Sequence, residues 1–194
     1  MGWMMTRTDI INQFIEKYNY KTYLEIGVQA GVNFAKVNAK HKVGVDPDPR
    51  SAATVHKTSN EFFRDNNLKF DIIFIDGLHL AEQVIEDCLN SLNCLNYGGV
   101  IIWHDCLPTT EHMQVREMHN GAWTGDVWKG WCHFRAFPDL EMFVVDTDYG
   151  CGVMRKGTQE GIFINADEMT WNEYKENYKE WLNVINVDEF LKRI

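Results

Sequence analysis

The sequence is short of what several common functions require. Its five cysteines, Cys88, Cys94, Cys106, Cys132 and Cys151, are odd in number and include no C-x-x-C pair. That argues against a disulfide framework or a structural zinc site and for the reduced thiols of a cytoplasmic protein. Basic residues are few: 19 Lys and Arg against 28 Asp and Glu leave a net charge of −9. Nonspecific nucleic-acid binding, where phosphate neutralisation dominates affinity, is not expected from such a chain. No apolar run approaches the ~20 residues that span a bilayer, and no signal peptide is visible. The start "MGWMMT" fits the M-G-x-x-x-[ST] acylation pattern, but nothing else points to a membrane and it is read as a chance match. Internal repeats, low-complexity runs and long linkers are also missing, so residues 1–194 read as one domain, long enough to bury a sizeable core.

One absence says more than the others. "TYLEIGVQAGVNF", residues 22–34, reads as a buried strand entering a glycine turn, yet Gln29 stands where a G-x-G-x-x-G fingerprint has its second glycine. In a dinucleotide site that glycine lets the backbone approach the pyrophosphate. A P-loop is excluded outright, because no G-x-x-x-x-G-K-[ST] occurs. Asp46 follows Gly27 by 19 positions, about the spacing at which an acid grips a ribose hydroxyl pair. A ligand whose ribose carries an amino acid through sulfur keeps the ribose and has no pyrophosphate to admit.

What is present is strand–helix alternation. Ile10, Ile11, Phe14, Ile15 and Tyr18 predict a helix over 8–19 with Thr8 as its cap. "TYLEIG", "KVGVD", "FDIIFID" and "GVIIWHD" read as buried strands, with "ATVHKT" a further strand candidate. Helices are expected near 31–39, over "SNEFFRDN" and along the stripe Leu80, Val84, Cys88, Leu92 and Leu95, while 109–137 reads as mostly helix with His112 and His119 on one exposed face. "EMFVVD" and "CGVMRK" flank "TDYG" as a hairpin. In the last segment, 166–194, Thr170 and Glu173 form a capping box before the stripe Trp171, Tyr174, Tyr178 and Trp181, and a short final helix starts at Asn186. This order implies an α/β fold: a mostly parallel sheet with helices on both faces, closed by one antiparallel hairpin strand.

Ligands bind such sheets at the carboxyl ends of the strands, and the notable polar residues cluster there: Glu25 and Gly27, Asp46, Ser59 to Glu61, Asp76 to His79, and His104 with Asp105. With "YLEIGVQAGVNF", "VGVDPDP", the run from "FDIIFIDGLH" to "YGGVIIWHD" and, more loosely, "TGDVWKGW" and "VVDTDYGCGVMR", the sequence resembles the class I S-adenosyl-L-methionine (SAM) dependent methyltransferases. The likeness is to a small-molecule subgroup marked by D-G-x-H and G-G-x-I-x-x-H-D. The resemblance covers most of 22–156. It implies a Rossmann-like three-layer sandwich with a seven-stranded sheet whose last strand is antiparallel. It also implies that Glu25, Gly27 and Gly31 line the methionine portion of SAM, that Asp46 holds the ribose, that Ser59, Asn60 and Glu61 border the adenine, and that Asp76 lies near the sulfonium.

Asp76, His104 and Asp105 occupy the strand ends where metal-dependent catechol-type methyltransferases place their ligands. Magnesium or another divalent ion there would acidify a substrate hydroxyl, and histidine at 104, where a carboxylate is usual, points toward a softer ion. Without a metal, His79 or His104 is the candidate general base, with Asp76 and Asp105 assisting. Trp123, Asp126 and Trp128 in "GAWTGDVWKGW" are the candidate acceptor contacts, although core or dimer packing is the stronger reading for the tryptophans, Trp131 included. The expected partner is a small-molecule acceptor carrying a sugar or phenolic hydroxyl, with no nucleic acid and no membrane, and a homodimer is left open. Rival readings are an NAD-dependent oxidoreductase, a non-catalytic binding protein on the same fold, and a metal-dependent hydrolase. Asp46→Ala is expected to weaken SAM binding in calorimetry, whereas His104→Ala should mainly slow turnover; unchanged affinity in the first variant would remove the ribose assignment.

Overall fold

The apolar runs become strands and the amphipathic stretches helices in a computed structural model that describes residues 5–194. The first four residues of the acylation pattern therefore lie outside the described residues. Helix α1 (Arg7–Tyr18), β1 (Thr22–Ile26), α2 (Val32–Lys36), β2 (His41–Val45), α3 (Ser59–Asp65), β3 (Phe70–Ile75), α4 (Ala81–Cys94) and β4 (Leu95–Trp103) alternate strictly. They are followed by α5 (Val127–Phe134), β5 (Leu140–Val145), β6 (Cys151–Lys156), α6 (Trp171–Trp181), β7 (Val184–Ile185) and α7 (Val187–Arg193). The seven strands lie in the order β2-β1-β3-β4-β6-β5-β7. Only β6 runs against its neighbours, forming the hairpin with β5 across "TDYG".

Strand periodicity divides the core in two. Leu24, Ile73, Ile75, Ile101 and Trp103 face one layer, under α4, α5 and α6. Tyr23, Ile72, Phe74, Val100 and Ile102 face the other, under α1 and α7. The result is a three-layer, Rossmann-like sandwich. Because β1 is followed by β2 on one side and β3 on the other, the chain reverses its winding direction at β1, and a crevice opens at its carboxyl end. Among the described residues no helix is long and apolar enough to cross a membrane.

The carboxyl-terminal helices form as their sequence dictates. Thr170 and Glu173 make the reciprocal capping box of α6, and Asn186 caps α7. Tyr174 is buried from the aromatic stripe, with Trp171, Tyr178 and Trp181 packed beside it on the core.

Three expectations change. Thr6, not Thr8, caps α1, because Asp9 lies three residues after it and completes the box, while the Thr8 hydroxyl donates to Asn33 Oδ1. "ATVHKT" is not a strand: Thr54 folds back onto Gly44, leaving one bridge between Val45 and Val55, and the seventh strand is β7 at the opposite edge. Residues 109–137 are mostly irregular, with a 3-10 turn at Glu111–Gln114 and α5 as their helical parts. Gly121 and Gly125, at φ 113° and 54°, break the helical path. His112 and His119 consequently share no helix face; their rings stack across the loop at 3.9 Å.

Gly27 shows how tightly the crevice is built. Its φ is 86°, and a Cβ there would stand 2.0 Å from the Asp76 carbonyl oxygen. Gly27→Ala should cost about 2–4 kcal/mol, combining left-handed strain with a backbone clash, read as a lower urea midpoint at unchanged slope.

Candidate active site

The turn after β1 keeps the shape of a glycine turn without the glycine. Gln29 sits at φ 47°, a region that non-glycine residues seldom occupy. Asp46 holds it there: its Oδ2 accepts from the backbone N–H groups of Val28 (3.1 Å) and Gln29 (2.8 Å), and its Oδ1 from Asp48 N (2.9 Å). A carboxylate offers about four acceptor positions, so Asp46 has one left for a ligand hydroxyl. The turn borders a cavity of about 370 Å³ lined by, among others, Gly27, Asp46, Ser59, Asp76, Gly77 and Gln83.

Glu25 lies beneath the turn, 2% exposed. Its Oε2 accepts from the Tyr23 hydroxyl at 2.5 Å and from Asn33 Nδ2 at 3.0 Å. Burial pushes its carboxyl up to about 7 despite these donors. Gly31, at φ 72°, starts α2. Ser59 opens α3 at the cavity wall, Asn60 accepts from Gln83, and Glu61 is committed to the capping box with Thr58.

At the ends of β3 and β4 the structure brings Asp76, His79, His104 and Asp105 together. His104 Nδ1 is 3.3 Å from Asp76 Oδ1 and 3.0 Å from Asp105 Oδ2. His79 reaches the same two carboxylates at 3.4 Å each, Nε2 toward Asp76 and Nδ1 toward Asp105. The indole of Trp123 stacks on the His79 ring at 4.8 Å, with 20° between planes. Gly125, where a Cβ would come within 1.9 Å of the His79 carbonyl oxygen, lets the loop close that tightly.

Two members of this cluster are invisible as site residues in the sequence. Arg7, at the start of α1, donates through Nη1 to Asp76 Oδ2 (2.8 Å) and through Nε and Nη2 to the two oxygens of Asp148 (2.9 and 3.0 Å). Asp148, in the β5–β6 turn, also faces His104 Nε2 at 3.6 Å. "TDYG" signalled only a hairpin, and Arg7 lies 141 residues from the carboxylate it grips. Positive φ marks the place afterwards: Asp105, Asp148 and Tyr149 all adopt it, as strained sites do.

The charges reinforce one another. Burial would raise the Asp76 carboxyl, but His104, His79 and Arg7 outweigh it and hold it well below the usual carboxylate range. Asp148 is held low against burial in the same way by His104 and Arg7. Burial would lower both imidazoles, yet the surrounding carboxylates raise His79 and carry His104 well above its ordinary value.

The other candidate acceptor contacts have structural tasks. Asp126 is buried, accepting from Ala81 N at the start of α4 and pairing with Arg116. Trp128 and Trp131 are in the core, Trp128 against Tyr174 and Trp131 against Trp103. Of the three residues named from sequence, Trp123 alone faces the cluster.

The donor set suits a divalent cation. Both ring nitrogens of His104 are buried without a hydrogen-bond partner, and Asp76, His79 and Asp105 offer ligand atoms within 4.8 Å of one another. His104 with Asp148 and Cys151 forms a second such group. Mixed imidazole and carboxylate donors favour manganese, iron or zinc over magnesium.

Glu25 supplies a stability test. A carboxyl whose folded pKa is raised binds its proton more tightly when folded, so the fold loses stability as pH climbs from the unfolded value of about 4.3 through about 7. In Glu25→Gln that slope should flatten between pH 4.5 and 7.5, leaving the variant about 3 kcal/mol better off relative to wild type at the upper end than at the lower, measured by urea unfolding at each pH.

A family model described as a methyltransferase domain matches residues 24–106, from β1 to just beyond β4. No curated protein matches the chain. Among solved structures, the O-methyltransferase of Bacillus cereus in complex with S-adenosylhomocysteine (SAH) is 15% identical with a TM-score of 0.56, covering 77% of this chain and 80% of that one. The SAH-bound methyltransferase of Podospora anserina gives 14% and 0.60 over 79% and 80%. The O-methyltransferase TomG of Streptomyces achromogenes, in complex with SAM, gives 14% and 0.57 over the same shares, 79% and 80%. At these identities the structures establish the fold, and the family match relates residues 24–106, the stretch holding the first four strands, to methyltransferase domains.

Proposed function

We propose that this protein moves a methyl group from SAM to a hydroxyl oxygen of a small molecule, of the sugar or phenolic kind. The observation that carries the reading is the double position of Asp76. Its residue lines the cavity beside Gly27 and Asp46, and its carboxylate belongs to the histidine–carboxylate cluster. A nucleoside-sized space and a proton-accepting group thus share one wall. The solved O-methyltransferases of this fold that hold SAH or SAM support the same cofactor here.

In this reading the ribose takes the remaining acceptor position of Asp46, and the methionine portion lies over Glu25 and the turn from Gly27 to Gly31. The acceptor oxygen attacks the methyl carbon in line; the new O–C bond forms as the S–C bond breaks, and SAH departs. Sulfonium is already a good leaving group, so proximity and orientation are the main contribution of the protein. The acceptor proton passes to His79 in its neutral form, a ring less buried than His104 and fixed by Trp123; the neighbouring carboxylates that raise its pKa then hold the imidazolium it becomes. His104, enclosed by Asp76, Asp105 and Asp148, keeps those carboxylates in place. The unsatisfied nitrogens of His104 favour a second version in which Asp76, His79, His104 and Asp105 hold a divalent ion, which when bound lowers the pKa of the acceptor hydroxyl.

Calorimetric titration with SAH and, separately, NAD decides the cofactor. SAH should bind saturably and NAD should give no heat. A response to NAD alone would move the oxidoreductase reading ahead, and silence toward both would favour a non-catalytic role for the fold. Titrating manganese and magnesium into the same protein tests the second version; a heat for manganese that His104→Ala abolishes would support it, and no heat for either ion would leave the metal-free version.

A further inference from the structure

A second cavity lies at the opposite end of the strands from the catalytic crevice. Its volume is about 390 Å³, and its walls include Arg135, Glu141, Gln159, Lys179 and Asn183. Glu141 stands at the amino end of β5, which runs parallel to β4, whereas the crevice lies at the carboxyl ends. The transfer scheme gives this cavity no task.

Arg135, directly after α5, is its unexplained group. The residue is 4% exposed. Its Nε donates to the Trp181 carbonyl at 2.9 Å and its Nη1 to Gln159 Oε1, while Nη2 meets no described acceptor. The acids on the cavity wall do not answer the charge: Glu141 pairs with Arg155 at 2.7 Å, and neither Glu160 nor Glu180 forms an ion pair with Arg135. Burial accordingly lowers the Arg135 guanidinium from its ordinary value. Burial would lower Arg155 too, but Glu141 raises it. A guanidinium nevertheless stays charged at neutral pH, and a buried cation without a counter-ion is costly to keep.

The guanidinium is also held in place. Gln159 donates through Nε2 to the carbonyls of Phe137 (2.8 Å) and Phe134 (3.3 Å), so its Oε1 is the end that faces Arg135. With the Trp181 carbonyl on Nε, the N–H groups left over lie on Nη1 and Nη2. That edge grips a carboxylate through two parallel hydrogen bonds.

We infer that this cavity is a second ligand site, taking a small monocarboxylate on the Nη1–Nη2 edge of Arg135 with Lys179 as the supporting charge. The single negative charge follows from the wall. Arg135, Lys179 and Arg193 are matched in number by Glu141, Glu160 and Glu180, so a polyanion meets no excess of positive charge. Arg193 is already tied to Glu189 at 2.6 Å, which leaves Arg135 and exposed Lys179 for the ligand. Met142 and Ile162 offer apolar contact to a short aliphatic body.

The experiment titrates sodium propionate into the full chain by calorimetry, with sodium chloride holding the ionic strength constant. Wild type should bind propionate saturably, and inorganic phosphate at least about threefold more weakly. Arg135→Lys keeps the charge, loses the fork and should weaken propionate about tenfold. Lys179→Ala removes an exposed side chain and should weaken it about threefold. No saturable heat from propionate in wild type overturns the inference, as does tighter binding of phosphate or an undiminished affinity in Arg135→Lys. If Arg135→Lys melts too low to titrate, Lys179→Ala decides, and an unchanged propionate affinity there overturns the inference. None of these outcomes depends on SAH binding, so the SAM reading stands or falls separately.

Discussion

Asp76 is the point through which the parts of the site are held in relation to one another. Its backbone closes on Gly27, where no side chain fits, and so fixes the glycine turn against the end of β3. Its Oδ2 takes Arg7, which draws in the start of α1 and, through Asp148, the β5–β6 turn. Its Oδ1 faces both histidines. The cavity and the histidine–carboxylate cluster cannot shift independently, because one residue is a wall of each.

The electrostatic logic follows from burial. Three carboxylates within a partly desolvated crevice would repel one another, and the guanidinium and two imidazoles among them provide the compensation. This is why Asp76 and Asp148 are held low while the histidines are raised, although burial alone would move each of these four the other way. The coupling also explains why His104 sits among partners without a satisfactory hydrogen bond on either nitrogen. Its place is set by charge on several sides, an arrangement that equally suits a cation.

The turn after β1 answers the puzzle of the missing glycine. The backbone still adopts the left-handed conformation at Gln29, and the two N–H groups that Asp46 accepts hold it there. Asp46 is therefore a structural residue of the turn as well as a candidate ribose partner. Spacing suggested the second role and gave no hint of the first. A ligand without a pyrophosphate leaves room for a side chain at that position, and Gln29 fills it on the cavity wall.

The sequence by itself determined the layered α/β sheet, because near-continuous apolar runs such as "FDIIFI" bury both faces only when helices cover each side. It determined the hairpin at "TDYG" and the capping box at Thr170, which depend on residues a few positions apart. It also placed Asp76, His79, His104 and Asp105 at strand ends, since strand periodicity fixes where the chain leaves the sheet. Where local preference was weak, tertiary contacts decided: the irregular path of 109–126, the reduction of "ATVHKT" to one bridge, and the burial of Asp126 and Trp128. Only the folded chain could bring Arg7 to Asp148, because that pair joins the first helix to a turn near the far end, and its stabilisation comes from charge attraction shared with Asp76 and His104, which outweighs the cost of burial. Charge pairing of this kind acts through space, and local periodicity carries no record of it.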